Sequence, residues 1–341
     1  MTPNIYTCRR SLYAIPRGTA GVLPTLPMAE PMLKPPEHQV AGHRTLDGKL
    51  GPLVDGRGLF YKPLQGDGRG KDEVTFYSVF SSHPAVPPRI LSFFPRFHGT
   101  HVLPSSDGSG PRPHLALEDL VAGFRFPSLI DIKIGARTWP LGSSDDYFRK
   151  CIARDRESTT ASLGFRISGV QIQDPRAAAG FWRPSKSDVR VYLIPDTRRV
   201  LRQFVSMNPP SDGAKPDCGL ASAVYGGPDG VLAQLRELKE WFEEQTLLHF
   251  YSASVLVVYE KDAVAGQQPE GSSGVRLKLV DFAHVEEGNG VIDHNFFGGL
   301  CSLIKFISDV INDPEGDGWK SNRVQLSCEN GNMEKNGNLM P

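Results

Sequence analysis

The hydrophobic pattern of the first third of the chain is broken into short pieces by turn residues. Asp-Gly pairs at 47–48 and 55–56 separate short apolar stretches, a pattern that predicts β-hairpins. Apolar positions 74, 76, 77 and 80 within KDEVTFYSVF predict a short helix over 71–80. Residues 113–120, PHLALEDL, predict a strand that ends in acidic residues. This part of the chain is therefore expected to be rich in strands.

The pattern farther along the chain mixes strands with longer periodic helices. Ser144 is expected to cap a helix that begins with two aspartates. The segment 164–205 is expected to be β-rich, because FRISGVQI, VRVYLI and RVLRQFV are short and rich in branched residues. From residue 229 a helix is predicted, with Asp229 as its cap and one apolar stripe formed by Val231, Leu235, Leu238 and Phe242. Two strands, SASVLVVYE and VRLKLVDFAHV, and a last helix, FFGGLCSLIKFISDVIN, complete an α+β pattern.

One predicted strand, PSLIDIKIG at residues 127–135, carries two opposite charges on the same face. Side chains alternate along a strand, so Asp131 and Lys133 share one face, and the isoleucines between and beside them share the other. One interpretation is an ion pair on a half-exposed edge strand. The other is a functional site, and the other charged residues of the sequence distinguish the two interpretations.

Composition limits the classes of partner. The 341 residues carry 38 basic and 38 acidic side chains, so no global field draws the chain to nucleic acid or membrane. We expect no direct nucleic-acid binding and no transmembrane segment, because no apolar run approaches the roughly 20 residues of a membrane span. Five scattered cysteines favour free thiols in a reducing compartment. His98 and His101 lack further ligands in a metal-site spacing.

The two ends of the chain differ in composition from its middle. Residues 1–27 contain three arginines and no acidic residue, which resembles a weak transit peptide. An upstream extension is the alternative, because the ordered pattern starts near Met28. Beyond Asn312 the sequence is polar, rich in Asn and Gly, and expected to be disordered.

Three sets of charged residues have the chemistry that phosphoryl transfer requires. Lys62 ends a predicted strand, and Glu73 on the next helix could pair with it. Asp281 ends a strongly apolar strand, where a carboxylate is costly unless it is paired or binds a cation. With Asp131 and Lys133, these residues suggest a lysine that contacts the α- and β-phosphates, an aspartate that holds a metal ion and a further cationic residue near the transferred phosphoryl group. The protein-kinase motifs His-Arg-Asp, Asp-Phe-Gly and Gly-x-Gly-x-x-Gly are absent from the sequence.

Several separated motifs resemble the inositol polyphosphate kinase family. PSLIDIKIG matches Pro-x-x-x-Asp-x-Lys-x-Gly through Pro127, Asp131, Lys133 and Gly135, and LVDFAHV is similar to the family's magnesium-binding segment. SASVLVVYE is similar to a Ser-Ser-Leu-Leu strand but departs from it at Ala253 and Val255. PPEHQVAGH and DHNFFGGLCSLIKFI look most like the plant multikinase branch. The similarity covers roughly residues 36 to 312.

The resemblance implies a two-lobed α+β fold, distantly similar to protein kinases, with an ATP cleft between the lobes. The implied parts are a flexible extension (1–35), an N-lobe (36–120), a C-lobe (121–312) and a disordered tail (313–341). Within the C-lobe, a helical segment at about 143–163 would form the inositol phosphate pocket.

Residue roles follow from the same resemblance. For the nucleotide, Lys62 would contact the ATP phosphates, Glu73 would hold Lys62, the backbone of Glu118 and Leu120 would face adenine, and Asp131 would bind the ribose. Catalysis would rest on Lys133, Asp281 and Lys62, with Mg²⁺ on Asp281. The residues implied for the inositol phosphate are Gln65, Arg69, Lys133, Arg149, Lys150 and His284. His284 is also a candidate general base.

The implied activity is an ATP- and Mg²⁺-dependent inositol polyphosphate multikinase. It would phosphorylate inositol 1,4,5-trisphosphate and the tetrakisphosphates at the 6- and 3-hydroxyls, giving inositol 1,3,4,5,6-pentakisphosphate. The alternatives are a trisphosphate 3-kinase, a hexakisphosphate kinase, or a non-catalytic nuclear scaffold that keeps the fold. We expect a monomer in nucleus and cytoplasm, with soluble inositol phosphates and nuclear proteins as partners.

The basic stretch 176–202 has no role in that activity. Seven basic residues stand there against Asp188 and Asp196. One interpretation is a solvated strand face. The other is a docking surface for an acidic partner or a phosphoinositide headgroup, in which Arg198 and Arg199 would take part.

Overall fold

Three antiparallel sheets form the framework of the protein, seen in a computed structural model that describes residues 32–42, 50–266 and 274–314. The first sheet has the spatial order β1-β2-β4-β3 and consists of β1 (Leu53–Val54), β2 (Leu59–Pro63), β3 (Phe97–Pro104) and β4 (Pro111–Glu118). The Asp-Gly turn at 55–56 joins β1 to β2, as the sequence predicts. The other predicted turn, at 47–48, lies outside the described residues.

The second sheet holds the charged strand at its centre. Its order is β10-β9-β5-β6-β7, and its strands are β5 (Pro127–Ile134), β6 (Phe165–Gln173), β7 (Phe181–Trp182), β9 (Ser254–Glu260) and β10 (Arg276–Val280). A small third sheet pairs β8 (Leu248–Phe250) with β11 (Val285–Glu287). Because β5 is hydrogen-bonded on both sides, to β6 and β9, the edge-strand interpretation of Asp131 and Lys133 is wrong.

Ten α-helices pack around these sheets in the described part of the chain. They are α1 (Arg69–Phe80), α2 (Pro88–Leu91), α3 (Asp145–Glu157), α4 (Thr160–Leu163), α5 (Lys186–Arg190), α6 (Ile194–Phe204), α7 (Ala221–Val224), α8 (Val231–Glu244), α9 (Lys261–Val264) and α10 (His294–Asn312). Helix α3 starts as predicted, because the Ser144 side chain accepts a hydrogen bond from the Tyr147 amide. None of the described helices has the length and apolar character needed to cross a membrane.

The prediction of β-structure across 164–205 is correct for β6 and for the two-residue strand β7, but not for the rest of the segment. The stretches VRVYLI and RVLRQFV lie in α5, α6 and the turn between them. Both segments are helical because their N-termini are capped. Ser185 forms a capping box with Asp188, and the Asp196 side chain accepts a hydrogen bond from the Leu193 amide. The branched residues that suggested strands form the buried face of a helix instead, since Val200, Leu201 and Phe204 are at most 1% exposed.

The two long C-terminal helices lie where the sequence predicts them. In α8 the whole predicted stripe is buried, but Gly230 rather than Asp229 occupies the N-cap position, so the predicted cap is wrong. Helix α10 begins after Asp293, whose carboxylate accepts a hydrogen bond from the Phe296 amide at 2.9 Å. Its buried face includes Phe296, which joins an aromatic cluster with Phe242 and Phe250.

An N-terminal strap, residues 32–42, contacts both large sheets. Lys34 exchanges backbone hydrogen bonds with Val54 of β1, at 3.0 and 2.8 Å. A few residues later Val40 is buried and packs in a small apolar cluster with Leu129 of β5. Gly169 of β6 permits this approach, because a Cβ there would lie 2.6 Å from the Val40 carbonyl carbon. The strap therefore runs from one sheet to the other.

The remaining predictions on the ends of the chain fall partly outside the described residues. Residues 1–31 and 315–341 are not described, so neither the transit-peptide-like stretch nor the polar tail is tested. Residues 32–35 of the implied extension belong to the strap. The described cysteines, Cys151, Cys218 and Cys301, are free thiols, as expected.

Candidate active site

Lys62 is the centre of a charge cluster assembled from distant parts of the chain. Strand β2 carries Lys62, helix α1 carries Glu73, and Asp281 directly follows β10. The Lys62 ammonium donates to Glu73 Oε1 at 2.8 Å and to Asp281 Oδ1 at 2.7 Å. The Lys62–Glu73 pair is therefore confirmed, and Asp281 finds the partner that its own strand does not supply.

The backbone at Asp281 is strained and is held in place by contacts of the next residue. Its φ is 69°, a left-handed conformation that costs a non-glycine residue on the order of 1 kcal/mol. The following residue, Phe282, is fully buried and stacks on Phe76 at 4.3 Å, and its amide donates to Glu73 Oε1 at 3.2 Å. Packing of Phe282 and the carboxylate of Glu73 thus fix the direction in which Asp281 points.

Asp131 and Lys133 lie on the central strand without pairing to each other. Asp131 is only 4% exposed, and its Oδ1 has no hydrogen-bond partner among the described residues. Lys133 Nζ donates to the carbonyl of Ser252 at 2.6 Å. Ser252 has a φ of 60°, a second left-handed non-glycine residue at this site. The strand therefore carries a buried carboxylate and a half-buried ammonium that do not form an ion pair with each other.

The two carboxylates are in different electrostatic states. Burial raises the pKa of Asp131 to about 6, and the negative charge of Asp281 acts in the same direction. For Asp281 itself, partial burial acts to raise the pKa, but the charges of Lys62 and Lys133 outweigh it and lower the pKa. Asp281 therefore stays ionised over a wide pH range, whereas Asp131 takes up a proton in mild acid.

The pKa values of the two lysines are also shifted in opposite directions. Burial acts to lower the pKa of Lys62, but Asp281 and Glu73 outweigh it, so that pKa is raised. Burial lowers the pKa of Lys133, and the charge of Arg166 adds to the effect, partly offset by Asp281. Lys62 is thus a firmly held cation, and Lys133 is a cation that gains from a nearby anion.

The acidic residues fit a metal ion that shares its ligands with a bound phosphate. In the part of the chain that the structure describes, no group of three or more His, Cys, Asp or Glu side chains converges on one point. The Asp281 side chain is 45% exposed, and Asp131 Oδ1 is unpaired. Mg²⁺ usually takes one or two protein carboxylates and completes its octahedron with waters and phosphate oxygens. These two carboxylates match that pattern and do not form a closed protein cage.

A second cluster lies where α3 approaches the segment after Asp281. The hydroxyl of Tyr147, on α3, lies 2.9 Å from His284 Nε2. Burial lowers the pKa of His284, and the charges of Arg69 and Lys133 lower it further. Arg69 is held by Asp67, whose Oδ1 lies 2.8 Å from the guanidinium Nε. The structure thus brings the predicted His284, Arg69 and Lys133 within electrostatic reach of one another.

The other residues implied for the substrate face solvent. Gln65, Arg149 and Lys150 are exposed. Arg149 pairs with Asp146 of the same helix at 3.0 Å, a contact with 70% and 83% exposed side chains that contributes little on its own. These side chains are free to reorient toward an anion.

The segment implied to face adenine has one open backbone donor. The Glu118 amide donates to the carbonyl of Arg96 at 2.9 Å, and the Leu120 carbonyl accepts from Arg276 at 2.7 Å. The Leu120 amide has no hydrogen-bond partner among the described residues. The side chain of Glu118 turns away to Lys278, 3.4 Å from its Nζ.

A buried network behind Lys133 connects α3 to the sheet. Asp155 of α3 pairs with Arg166 of β6 at 3.2 Å, and both side chains are less than 10% exposed. Asp155 also accepts from the Thr138 hydroxyl at 2.9 Å, and the Thr138 carbonyl accepts from Ser252 Oγ at 2.8 Å. Arg166 is the cross-strand neighbour of Lys133. The network therefore links the helix, the strand and the carbonyl that holds the Lys133 ammonium.

The basic stretch 176–202 is not a strand face, and much of its charge contacts this chain. Arg202 donates to the carbonyls of Asp313 and Pro314, both at 2.8 Å, and the Arg198 guanidinium lies over the Phe306 ring. Arg176 pairs with Asp212. The docking hypothesis therefore has fewer available cations than the sequence suggested.

Sequence patterns did not indicate Tyr147, Ser252 or the Asp155–Arg166 pair. Each acts through a contact with a segment more than ten residues away, and Ser252 acts through its backbone. The one sequence signal for the Asp155–Arg166 pair is that Arg166, a charged residue, lies inside a predicted apolar strand.

Comparisons with known proteins show which family the chain is similar to. The family model described as inositol polyphosphate kinase matches residues 114–308. The inositol polyphosphate multikinase of Oryza sativa subsp. japonica is 61% identical over 283 residues, covering 82% of this chain and 95% of the relative. Inositol polyphosphate multikinase beta of Arabidopsis thaliana is 55% identical over 287 residues, covering 83% and 95%.

Solved structures show the same fold. A structure from studies and engineering of inositol phosphate multikinase aligns with a TM-score of 0.59 at 45% identity, covering 70% of this chain and 99% of that one. The S. cerevisiae inositol phosphate multikinase, solved in complex with ADP and Mn²⁺, aligns with a TM-score of 0.57 at 20% identity, covering 74% and 99%.

Proposed function

The chain belongs to the inositol polyphosphate kinase family and is an enzyme of the multikinase type, and we propose that it transfers the γ-phosphoryl group of ATP to soluble inositol phosphates. The proposed substrates are inositol 1,4,5-trisphosphate and the tetrakisphosphates, attacked at the 6- and 3-hydroxyls to give inositol 1,3,4,5,6-pentakisphosphate. The observation that carries the proposal is the Lys62 ammonium held between Glu73 and Asp281, within electrostatic reach of Lys133.

On the nucleotide side, Lys62 and Asp131 would bind different parts of ATP. Lys62, fixed by two carboxylates, would contact the ATP phosphates with little reorganisation. Asp131, with its unpaired Oδ1, would accept hydrogen bonds from the ribose hydroxyls. The open amide of Leu120 and the carbonyl of Glu118 would face adenine.

On the substrate side, the pocket must bind a polyanion that has almost no apolar surface. Charge-assisted hydrogen bonds contribute about 1.5–3 kcal/mol each, so several basic side chains are needed. Lys133 would contact both the inositol phosphate and the transferred phosphoryl group. The proposed surrounding contacts are Gln65, Arg69, Arg149, Lys150 and His284.

Asp281 would hold Mg²⁺. When bound, the ion would neutralise charge on the β- and γ-phosphate oxygens. The S. cerevisiae protein of the same fold was solved with ADP and Mn²⁺, which supports the use of a nucleotide and a divalent cation. Because one carboxylate oxygen of Asp281 is already held by Lys62, its other oxygen is the one available to metal.

The reaction itself requires positioning more than covalent participation by the protein. The inositol hydroxyl oxygen forms a bond to the γ-phosphorus, the bond to the ADP oxygen breaks, and the hydroxyl proton leaves. Positive charge from Lys62 and Lys133 stabilises the charge on the transferred group. We assign no general base among the side chains, and the hydroxyl proton passes to a phosphate oxygen or to solvent.

The test is an assay of purified protein with ATP, Mg²⁺ and inositol 1,4,5-trisphosphate that resolves product isomers. Formation of tetrakis- and pentakisphosphate is expected, with loss of both in Lys133→Ala and retention in Lys305→Ala, a control that removes an exposed lysine of α10. A product phosphorylated at the 3-hydroxyl alone would favour a 3-kinase. Folded protein that binds ATP but phosphorylates no inositol phosphate would overturn the proposal and favour a scaffold.

We further propose a monomer that works in nucleus and cytoplasm and contacts nuclear proteins there. Balanced charge and unpaired described cysteines support a reducing compartment. Light scattering of the purified chain and imaging of a fluorescent fusion test the two statements separately.

A further inference from the structure

Tyr147 of α3 lies in hydrogen-bond contact with the imidazole of His284. Its hydroxyl lies 2.9 Å from Nε2, with ring centroids 5.3 Å apart. The Nδ1 atom of the same imidazole has no hydrogen-bond partner among the described residues. The contact joins two elements of the candidate site, because Tyr147 is in the first turn of α3 and His284 lies three residues after Asp281.

The chemistry of the two groups decides the direction of this hydrogen bond. Burial raises the pKa of Tyr147 to about 12, so the phenol keeps its proton near neutral pH. Burial together with Arg69 and Lys133 lowers the pKa of His284, which favours the neutral ring. A phenol is a good donor, and the unprotonated nitrogen of a neutral imidazole is a good acceptor. The O–H of Tyr147 therefore donates to Nε2, and the proton of the ring stays on Nδ1.

Both partners are held in place by the surrounding fold. The Ser144 side chain caps α3 at the Tyr147 amide, and Phe148 packs edge-to-face on Trp139 at 4.6 Å. The backbone of His284 is fixed by its carbonyl, which accepts from the Tyr251 amide at 2.9 Å. The hydrogen bond thus connects two rigid segments, which is the arrangement that holds one tautomer.

We propose that Tyr147 is a positioning residue that fixes His284 with an Nδ1–H group directed to an oxygen of the inositol phosphate. The inference rests on the proposed function for its substrate, but not for the tautomer itself. Tyr147 acts through His284 and need not touch the substrate. In this role it also keeps the start of α3 in register with the segment that carries Asp281.

The experiment uses Tyr147→Phe, which removes one oxygen and keeps the ring. Long-range ¹H–¹⁵N correlation spectra of the full-length protein report the His284 tautomer, assigned with His284→Asn. We expect wild type to show protonated Nδ1 and Tyr147→Phe to show a mixture of tautomers. In the kinase assay, Tyr147→Phe should lower kcat/KM for the inositol phosphate about tenfold and leave the KM for ATP unchanged. The expected loss is that of one hydrogen bond to a charged group, here the bond from His284 Nδ1–H to the inositol phosphate.

Two controls separate positioning from packing. Tyr192→Phe removes a hydroxyl from the turn between α5 and α6 and should change neither spectrum nor kinetics. Tyr147→Phe should have no added effect in a His284→Ala background, since two residues that act through one contact are non-additive. An unchanged tautomer in Tyr147→Phe, or a full additive loss in the double variant, would overturn the proposal. A wild-type protein with protonated Nδ1 but no kinase activity would instead overturn the proposed function.

Discussion

At the scale of single residues, Glu73 has two tasks that a glutamine could perform only in part. Its Oε1 accepts from the Lys62 ammonium and from the Phe282 amide, and the residue is 2% exposed. The amide of a glutamine would keep an acceptor for the Phe282 amide but would lose the charge that fixes Lys62. Lys62 would then depend on Asp281 alone, the carboxylate proposed to hold the metal.

Glu73→Gln is therefore expected to lower kcat at least tenfold and to reduce the free energy of unfolding by about 1.5–3 kcal/mol, the range for a hydrogen bond to a charged group. Urea unfolding and steady-state kinetics measure the two effects. Glu243→Gln is the matched control. It breaks a 2.7 Å pair with Lys239, in which the side chains of Lys239 and Glu243 are 33% and 53% exposed, and it should leave the free energy of unfolding nearly unchanged. Equal losses in the two variants would contradict the role of burial.

Asp131 is expected to titrate far above an ordinary aspartate in the free protein. Its pKa, raised by burial and then by Asp281 to about 6, exceeds the value of 3.8 that applies in the unfolded chain. The native state therefore binds the proton more tightly. The resulting contribution to stability is full below about pH 3.8 and is lost as the pH rises through about 6.

A ¹³C carboxyl titration by NMR checks this prediction. Asp281→Asn removes the neighbouring charge and should move the Asp131 midpoint toward lower pH, whereas Asp309→Asn, an exposed change on α10, should leave it in place. A midpoint near 4 in the wild-type protein would show that the buried carboxyl is better solvated than its 4% exposure implies.

The chemistry-bearing residues could be predicted individually, but their contacts could not. A lysine at a strand end and an acid after an apolar strand are visible in the sequence. That Lys62 and Asp281, 219 positions apart, share a hydrogen bond is a product of the tertiary fold. Ser252 escaped prediction for a different reason, because it takes part through a carbonyl that every residue possesses.

At the scale of elements, α10 contains two adjacent glycines with opposite surroundings. Gly298 is exposed, and a Cβ there would meet nothing within 4 Å. Gly299 faces the sheet, where a Cβ would lie 2.8 Å from Ile134 Cγ2 and 2.9 Å from the Gly135 amide nitrogen. Helix α10 can approach the end of β5, and hence the motif that carries Lys133, only because residue 299 has no side chain.

The same substitution at these two positions should consequently have opposite signs. Gly298→Ala is expected to stabilise the protein by about 0.5–1 kcal/mol, because alanine restricts the unfolded chain and suits a helix. Gly299→Ala is expected to destabilise it by about 1–3 kcal/mol through overpacking. Parallel urea unfolding curves compare the variants, and a shift of both in the same direction would refute the proposed contact.

Elements were predicted best where either a long apolar stripe or a strong N-cap residue was present. In α8 the stripe from Val231 to Phe242 left no ambiguity, and Ser144 marked the start of α3. The segment 189–205 was misassigned because short branched stretches suit a strand or a buried helix equally well by periodicity. The deciding signals were local caps, Asp188 and Asp196, together with Pro195 in the first turn of α6.

At the scale of the whole molecule, the strap is a second connection between the two large sheets. The chain passes directly from β4 to β5 through residues 119–126, and residues 32–42 join the same two sheets by packing and hydrogen bonds. His38 bonds to Gln171 of β6 at 3.2 Å, beyond the Lys34–Val54 pairing with the first sheet. Because Lys62 belongs to one sheet and Lys133 to the other, this strap bears on the geometry of the site.

Gly169→Ala is expected to displace the strap from the second sheet. Residue 169 has no left-handed φ, so alanine is acceptable to the backbone, but its Cβ would lie 2.6 Å from the Val40 carbonyl carbon. Hydrogen exchange should rise at the Val54 amide, which donates to Lys34, and the free energy of unfolding should fall by about 1–3 kcal/mol. Val40→Ala tests the same contact from the strap: it removes the Val40 packing without a collision and should raise the exchange of the Val54 amide more weakly.

Loss of kcat in both variants, in proportion to exchange at Val54, would show that the strap helps to set the distance between Lys62 and Lys133. Unchanged exchange in Gly169→Ala would mean that β6 moves to admit the methyl group, and that the strap is only a passive cover.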